Sequence, residues 1–487
     1  MSRFVDVFKN EANTTLTENG GKAYKTTGSD LLDLFANVGG MRERSMRDVV
    51  ELWLGARVED KELADNLVLY SRDIRNGGLG ERKIGRTLLR ELALIEPKKI
   101  ERNLQKIVDV GRWDDLFTFE DTPVWEKVVN FIQTQLYKDV KGMKNKEPIS
   151  LLAKWLPSIN TSSNESKRLA NEFCKYFRIS PRTYRKTLSA LRAYIDVVER
   201  KMSSGKWDEI NFETVPSVAM NRYISAYNRH CQERFQEYKE KLCAGKAKIN
   251  ASVLYPYDIA MKYFTNRYEF DEFLEIIEAQ WEALPNYVSE DYDVVIMADV
   301  SGSMTVNDCK PMATSVGLAT YFAQRNKGAY HNMYMTFTNN PHFITIDDNM
   351  NLKGIFDKVQ NEGVGYSTNL DKGFAAIFEI AKISREVPKA LVVISDMEID
   401  KWYSSDYCAS IAEKWDKKYK EIGLEMPKLI LWNVESRGGR VLAKQTDKVS
   451  FVSGYGVGTF SHLTDLIEFN AYGAMVKILS KPAYCWD

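Results

Sequence analysis

The residues Asp293-Val294-Val295-Ile296-Met297-Ala298 form an apolar, β-branched run without alternation. Such a run suits a strand buried on both faces of a parallel sheet, where neither side meets water. Asp299-Val300-Ser301-Gly302-Ser303-Met304 follows directly, and a helical spacing of apolar residues then runs from Pro311 to Gln324. A carboxylate and two hydroxyls, each one residue apart, therefore stand where a buried strand gives way to a helix. In open α/β sheets, ligands bind at such carboxyl ends of strands. Three hard oxygen donors there suit Mg²⁺, which takes few protein ligands and keeps several waters. Ser and Gly are also ordinary turn residues, so the stretch alone reads equally as a turn.

Two later stretches bear on that choice. Gly363-Val364-Gly365-Tyr366-Ser367-Thr368-Asn369 is a Gly-rich turn with hydroxyls, followed by a helical pattern from Leu370 to Ile383. Ala390-Leu391-Val392-Val393-Ile394-Ser395-Asp396 is a second buried-strand run, ending in an aspartate. The order DxSxS, then Thr in a Gly-rich loop, then Asp after a strand resembles the von Willebrand A domain. That resemblance implies a metal-ion-dependent adhesion site, with Asp299, Ser301, Ser303, Thr368 and Asp396 around one divalent cation: Mg²⁺, or another such as Mn²⁺ or Ca²⁺.

At 487 residues the chain exceeds one ordinary core and reads as about three domains. Residues 1–28 are polar and read as a flexible N-terminal arm with little structure of its own. From Ser29 to about Leu284 the periodicity is helical, in segments near 45–56, 59–74, 81–95, 97–110, 123–139, 166–177, 181–203, 217–243, 256–267 and 270–284. Short links between them suggest a HEAT-like α-solenoid, with a large all-α bundle as the alternative. Around Pro285-Asn286-Tyr287 the pattern changes to alternating strands and helices. Strands are expected near 292–298, 331–337, 342–346, 390–395, 428–434 and 448–453. Helices are expected near 311–325, 352–360, 369–384, 404–422 and 461–480, an order that implies a doubly wound sheet. The fold class is thus α + α/β, with a helical region at 29–285 and a Rossmann-like domain at 286–487.

Basic and acidic residues balance at 67 each, so no global field steers the chain to nucleic acid or membrane. A cut at residue 285 leaves 46 basic and 42 acidic residues before it, and 21 and 25 after it. That weakly favours a polyanion for the front part. The six cysteines form no CxxC pair and there are four histidines, which argues against a His/Cys zinc site and for reduced thiols. No signal-peptide core and no long apolar stretch is present, so the expectation is a soluble, cytoplasmic protein that spans no membrane.

Two stretches of the helical part carry charge. Arg75-Asn76-Gly77-Gly78-Leu79-Gly80-Glu81-Arg82-Lys83 joins two helical runs. It reads as a helix C-cap at Gly77 or Gly78, or as a phosphate cradle of free amides flanked by Arg75, Arg82 and Lys83. From Phe177 to Trp207 the chain is basic and aromatic, including Arg182, Arg185 and Lys186. Tyr184, Leu188, Leu191 and Ile195 lie at helical spacing as core, which puts the cations on the opposite face. Such a face is either plain soluble surface or what a phosphate-backbone binder presents.

Gly111-Arg112-Trp113-Asp114-Asp115-Leu116 resembles a GRWDDL-type segment of Ro/TROVE-module proteins. Other pieces are similar to an uncharacterised family of bacterial, phage and plant proteins that joins a TROVE-like region to a von Willebrand A domain. They include Ala153-Lys154-Trp155-Leu156-Pro157-Ser158, Tyr184-Arg185-Lys186, Val215-Pro216-Ser217 and Pro256-Tyr257-Asp258-Ile259. The resemblance implies a HEAT-repeat ring closed by the von Willebrand A domain. It also implies RNA partners, as single-stranded ends or small non-coding RNAs.

No enzyme signature is present: four scattered histidines supply no acid–base pair, and no Ser/His/Asp pattern occurs. The leading expectation is a non-enzymatic RNA-binding ribonucleoprotein component. The second is a protein-interaction module in which a partner's Asp or Glu completes the cation shell. The third is an accessory subunit of an ATP-driven machine, without a GxxxxGK[ST] loop of its own.

Overall fold

The computed structural model describes residues 3–288, 292–363, 365, 367–402, 410–445 and 448–487. Its two compact units are Met1–Ile84 with Ala251–Cys485, and Gly85–Asn250 with Trp486–Asp487. This differs from the expected division at 1–28, 29–285 and 286–487. The chain enters and leaves the first unit twice, and a boundary read from local pattern cannot register a return of that kind.

The first unit is built on the buried runs. Its strands are β1 (Thr14–Leu16), β2 (Lys22–Tyr24), β3 (Val294–Asp299), β4 (Met333–Phe337), β5 (His342–Thr345), β6 (Ala390–Ser395), β7 (Lys428–Asn433) and β8 (Val449–Ser453). The last six form one sheet in the order β5-β4-β3-β6-β7-β8. All neighbours are parallel except β5, which runs antiparallel to β4 at the edge. Every residue of β3 and β6 is buried, as unalternating apolar runs require. From β3 the chain moves outward to β4 and β5. From β6 it moves the other way to β7 and β8, so the order reverses between β3 and β6. A crevice at such a switch point is where open α/β sheets bind ligands.

Helices Val306–Arg325, Leu352–Lys358, Leu370–Ser384 and Ile411–Glu421 lie between the strands. The helix expected at 404–422 begins at Ile411, where Ser410 caps it by accepting from the Glu413 amide at 3.1 Å while the Glu413 carboxylate accepts from the Ser410 amide at 2.8 Å; residues 403–409 lie outside the described residues. The one expected at 461–480 is broken into Leu463–Glu468 and Ala471–Leu479, with Asn470 capping the second through a bond from the Gly473 amide. Helix Pro256–Thr265 packs on Val306–Arg325, where a Cβ on Gly317 would come within 3.1 Å of the Pro256 backbone. Helix Asp30–Asn37 is tied to β8 by Ser453, whose Oγ donates to the Phe35 carbonyl at 3.0 Å and accepts from the Gly39 amide at 2.9 Å.

The expectation of a flexible arm over residues 1–28 is corrected. Arg3–Asn13 is helical, and β1 and β2 pair as an antiparallel hairpin. The hairpin is held by partners far along the chain: Thr17 Oγ1 donates to the Ile399 carbonyl at 2.6 Å, and Tyr24 and Val441 exchange backbone bonds. Phe4, Val5, Val7 and Phe8 stand at helical spacing in Arg3–Asn13, but nothing in the polar stretch after it is a local sign of such long-range backbone pairing.

The second unit is helical. Stacked and tilted rings join Phe117, Trp125, Phe173, Phe177 and Tyr184, and a second group joins Phe212, Tyr227, Phe235 and Tyr238. The Gly111–Leu116 segment is a structural lock. Asp115 is fully buried and accepts from the Arg112 amide at 2.7 Å and from Arg86 Nε at 2.7 Å. A side chain on Gly111 would collide with that carboxylate. Cys174, Cys231, Cys243, Cys309 and Cys485 are free thiols, and Cys408 lies outside the described residues. Among the described residues no helix is long and apolar enough to cross a membrane.

Candidate metal centre

At the reversal between β3 and β6 stand Asp299, the last residue of β3, and Asp396, the first residue after β6. Asp299 is fully buried. Its Oδ1 accepts from the Ser301 amide at 3.0 Å and its Oδ2 from Ser395 Oγ at 2.5 Å. These donors are neutral. Burial, and next the Asp396 charge, push its carboxyl up to about 7. Asp396 is also raised, chiefly by burial, against bonds from the Glu398 amide and the Ser303 side chain and the charge of Arg437. The Asp396 charge disfavours a second carboxylate at Asp299, which no cationic side chain bonds among the described residues, so an added cation would be favoured there.

The hydroxyls fit the same reading. Ser301 Oγ and Ser303 Oγ are 3.0 Å apart. Adjacent ligands on an octahedral Mg²⁺ with metal–oxygen bonds of about 2.1 Å are separated by about 3.0 Å. Thr368 is buried and exchanges bonds with Asp400, its amide donating to Asp400 Oδ2 and the Asp400 amide to its carbonyl, both at 3.0 Å; among the described residues no hydrogen bond joins it to Asp299, Ser301, Ser303 or Asp396. In the same loop, a side chain on Gly365 would strike Thr338 at 2.7 Å, so the turn needs glycine there for close approach. Val364 and Tyr366 lie outside the described residues. After the DxSxS turn, Asn307, Asp308 and Cys309 hold φ of 51°, 58° and 64° before the regular helix begins. Consecutive left-handed residues without glycine store strain next to the site.

Three participants were not read from the sequence. Ser395 orients Asp299. Arg437 Nη2 donates to Asp396 Oδ2 at 2.9 Å and to the Ser303 carbonyl at 2.8 Å, while its Nη1 pairs with Glu18 at 2.9 Å. Glu398 accepts from the Glu18 amide and pairs with Arg440 at 3.1 Å. Ser395 adjoins Asp396, so a DxSxS-to-SD pairing was the available signal. Arg437 lies in a Gly-rich turn after β7 and carried none. Among the described residues no group of three or more His, Cys, Asp or Glu stands ready for a metal. The set at the switch point instead combines two carboxylates with hydroxyls.

The glycine loop after helix Lys61–Arg72 answers neither of its expected readings. The helix ends at Asp73, well before Gly77. The Asp73 carboxylate then accepts from the amides of Arg75, Asn76 and Gly78 at 2.9–3.2 Å and from the Tyr484 hydroxyl at 3.0 Å. An internal anion therefore fills the amide nest that a phosphate would need. Arg75, Arg82 and Lys83 are exposed around it. In the second unit, Tyr184, Leu188 and Leu191 form the buried face of helix Pro181–Tyr194, Ile195 is half-buried at its end, and Arg182, Arg185 and Lys186 are exposed.

Comparison with known proteins gives two family models, both described as domains of unknown function: DUF2828 over residues 162–291 and DUF7788 over residues 293–468. The chain is 27% identical to the uncharacterized protein L728 of Acanthamoeba polyphaga mimivirus, over 96% of this chain and 87% of that protein. Among solved structures, the Deinococcus radiodurans RO (RSR) protein is similar with a TM-score of 0.49 at 13% identity, covering 89% of this chain and 99% of that one.

Proposed function

We propose that this chain is a non-enzymatic RNA-binding protein whose Gly85–Asn250 unit supplies the cationic surface. Charge segregation carries the reading. Residues 85–250 hold 31 basic and 21 acidic side chains, while the rest of the chain holds 36 and 46. A neutral protein that gathers an excess of ten cations in one compact unit has the electrostatic footprint of a phosphate-backbone binder. A cut at residue 285 hid this by adding the acidic 251–285 stretch to the basic unit. The sequence resemblance to Ro/TROVE-module proteins supports single-stranded or small structured RNA as the partner.

The test is binding of a fluorescent single-stranded RNA across a salt series. The expected outcome is a log–log slope of roughly 0.7 per phosphate neutralised, several phosphates in all. Absence of any binding at low salt overturns the reading.

At the sheet, Asp299, Ser301, Ser303 and Asp396, with Thr368, would hold a divalent cation, Mg²⁺ first. Such an ion supplies a Lewis-acidic position open to an outside oxygen ligand. The shell spends only two carboxylates, which favours a second reading: a protein partner docks there through an Asp or Glu. Partner capture that needs Mg²⁺ and is lost with Asp299→Asn would support it.

A further inference from the structure

A cleft of about 640 Å³ opens in the Gly85–Asn250 unit. One wall is the short helix Leu152–Trp155 and the bent segment 156–161. The other is formed by helices Pro181–Tyr194 and Val198–Ser203. The walls are fastened together: Tyr184 donates its hydroxyl to the Pro157 carbonyl at 2.9 Å, and Arg192 donates to the Ala153 and Leu156 carbonyls and to Ser158 Oγ at 2.7–2.8 Å. The cleft is thus a built feature rather than a gap between loose loops.

Its chemistry is that of an anion site. Those three bonds use three of the five N–H groups of Arg192, so two remain. All three acceptors are neutral, and among the described residues no carboxylate pairs with this half-buried guanidinium. Burial lowers its pKa, the mark of a charge without a counter-charge. Arg185 and Arg200, both exposed, and Lys154 line the same space, against one acidic residue, Glu199. Trp155 adds a flat aromatic wall, with the Arg112 guanidinium over its ring at 4.2 Å. Cations beside an aromatic face are the elements that hold a single-stranded nucleotide, phosphate on one and base on the other. The volume falls in the range of small-ligand sites, about 300–1,000 Å³.

The geometry points to this cleft as a binding site for one nucleotide of single-stranded RNA, with phosphate on Arg185, Arg192 and Arg200 and base against Trp155. The inference rests on the RNA-binding reading and gives it a location. A flat aromatic wall favours a nucleotide over a phosphopeptide, whose phosphate would have no use for it.

The test compares the full-length protein with R185E/R200E and W155A. Among the described residues neither arginine side chain makes a hydrogen bond or ion pair, and matching thermal melts confirm that the variants are folded. Three probes are used: a labelled single-stranded RNA across a salt series, AMP, and ribose 5-phosphate, the last two by calorimetry. Expected for R185E/R200E is weaker RNA binding, with a log–log salt slope smaller by about 1.4, two phosphates at roughly 0.7 each. Wild type should prefer AMP over ribose 5-phosphate by about five-fold, the low end of base–aromatic stacking, and W155A should abolish that preference. If wild type binds RNA and R185E/R200E binds it with unchanged affinity and slope, the cleft assignment falls while the RNA-binding reading stands. If wild type binds AMP through the cleft but no RNA, the mononucleotide site stands and the RNA-binding reading falls. Binding of a phosphoserine peptide without AMP overturns the nucleotide assignment, and binding of neither RNA nor AMP overturns both.

Discussion

The Asp299 carboxyl accepts hydrogen bonds only from neutral donors, Ser301 N and Ser395 Oγ, among the described residues, and burial disfavours its charged form. Its folded pKa lies above its unfolded one, so the fold favours the protonated form. Stability from that preference is complete below the unfolded value and is lost as pH rises through about 7. In EDTA, the wild-type melting temperature should therefore fall between pH 5 and pH 8. Asp299→Asn should be flatter over that range and at least as stable above pH 7. Saturating Mg²⁺, at one hundred times its dissociation constant, should stabilise wild type by about 2.7 kcal/mol and leave the Asn variant unmoved. Scanning fluorimetry measures all three, and equal Mg²⁺ shifts in both proteins would remove Asp299 from the shell. Asp299, Ser301 and Ser303 were legible because a fixed short spacing follows a strand with an unmistakable burial pattern. Arg437 was not, since its role depends on β7 ending beside β6, a tertiary fact with no local spacing.

At the scale of elements, the β1–β2 hairpin governs the loop that carries Asp396. Glu18 bonds to both Glu398 and Arg437, Asn19 Nδ2 donates to the Glu398 carbonyl at 2.6 Å, and Gly20 bridges Asp400. Gly21 lies so close to the Ile399 and Asp400 backbone that no Cβ fits. Gly21→Ala should destabilise the first unit by roughly 1–3 kcal/mol, the cost of overpacking where backbone cannot yield. Because Asp396 and, through Asp400, Thr368 depend on that loop, Mg²⁺ affinity should fall in the same variant. Hydrogen exchange should show faster amides at 396–400. A destabilised variant with undiminished Mg²⁺ affinity would separate the hairpin from the site. Strands β3 and β6 were legible from unalternating apolar runs, whereas the hairpin was not. Its three-residue strands are too short for a period, and its partners lie some 380 residues away.

At the scale of the molecule, the chain is two compact units of opposite charge excess, and this organisation was the least legible part. Helical periodicity looks the same in Lys61–Arg72, which belongs with the sheet, as in Pro181–Tyr194, which does not. What separates them is which distant partner each apolar face meets. Helix Pro256–Thr265 shows the difference, because its place is fixed by the close backbone approach at Gly317. The residues proposed for the cation, Asp299, Ser301, Ser303, Thr368 and Asp396, all fall in the first unit, and the cleft of Arg185, Arg192 and Arg200 falls in the second. A ligand stabilises the state it binds, so each should act on the unit that holds its site. Calorimetry of the full chain should resolve two transitions. Mg²⁺ should raise one of them, by about 2.7 kcal/mol at one hundred times its dissociation constant. Single-stranded RNA should raise the other, and R185E/R200E should cancel only the RNA effect. If Mg²⁺ moves both transitions equally, the two units unfold as one and the separate assignment of the two sites loses its thermodynamic basis.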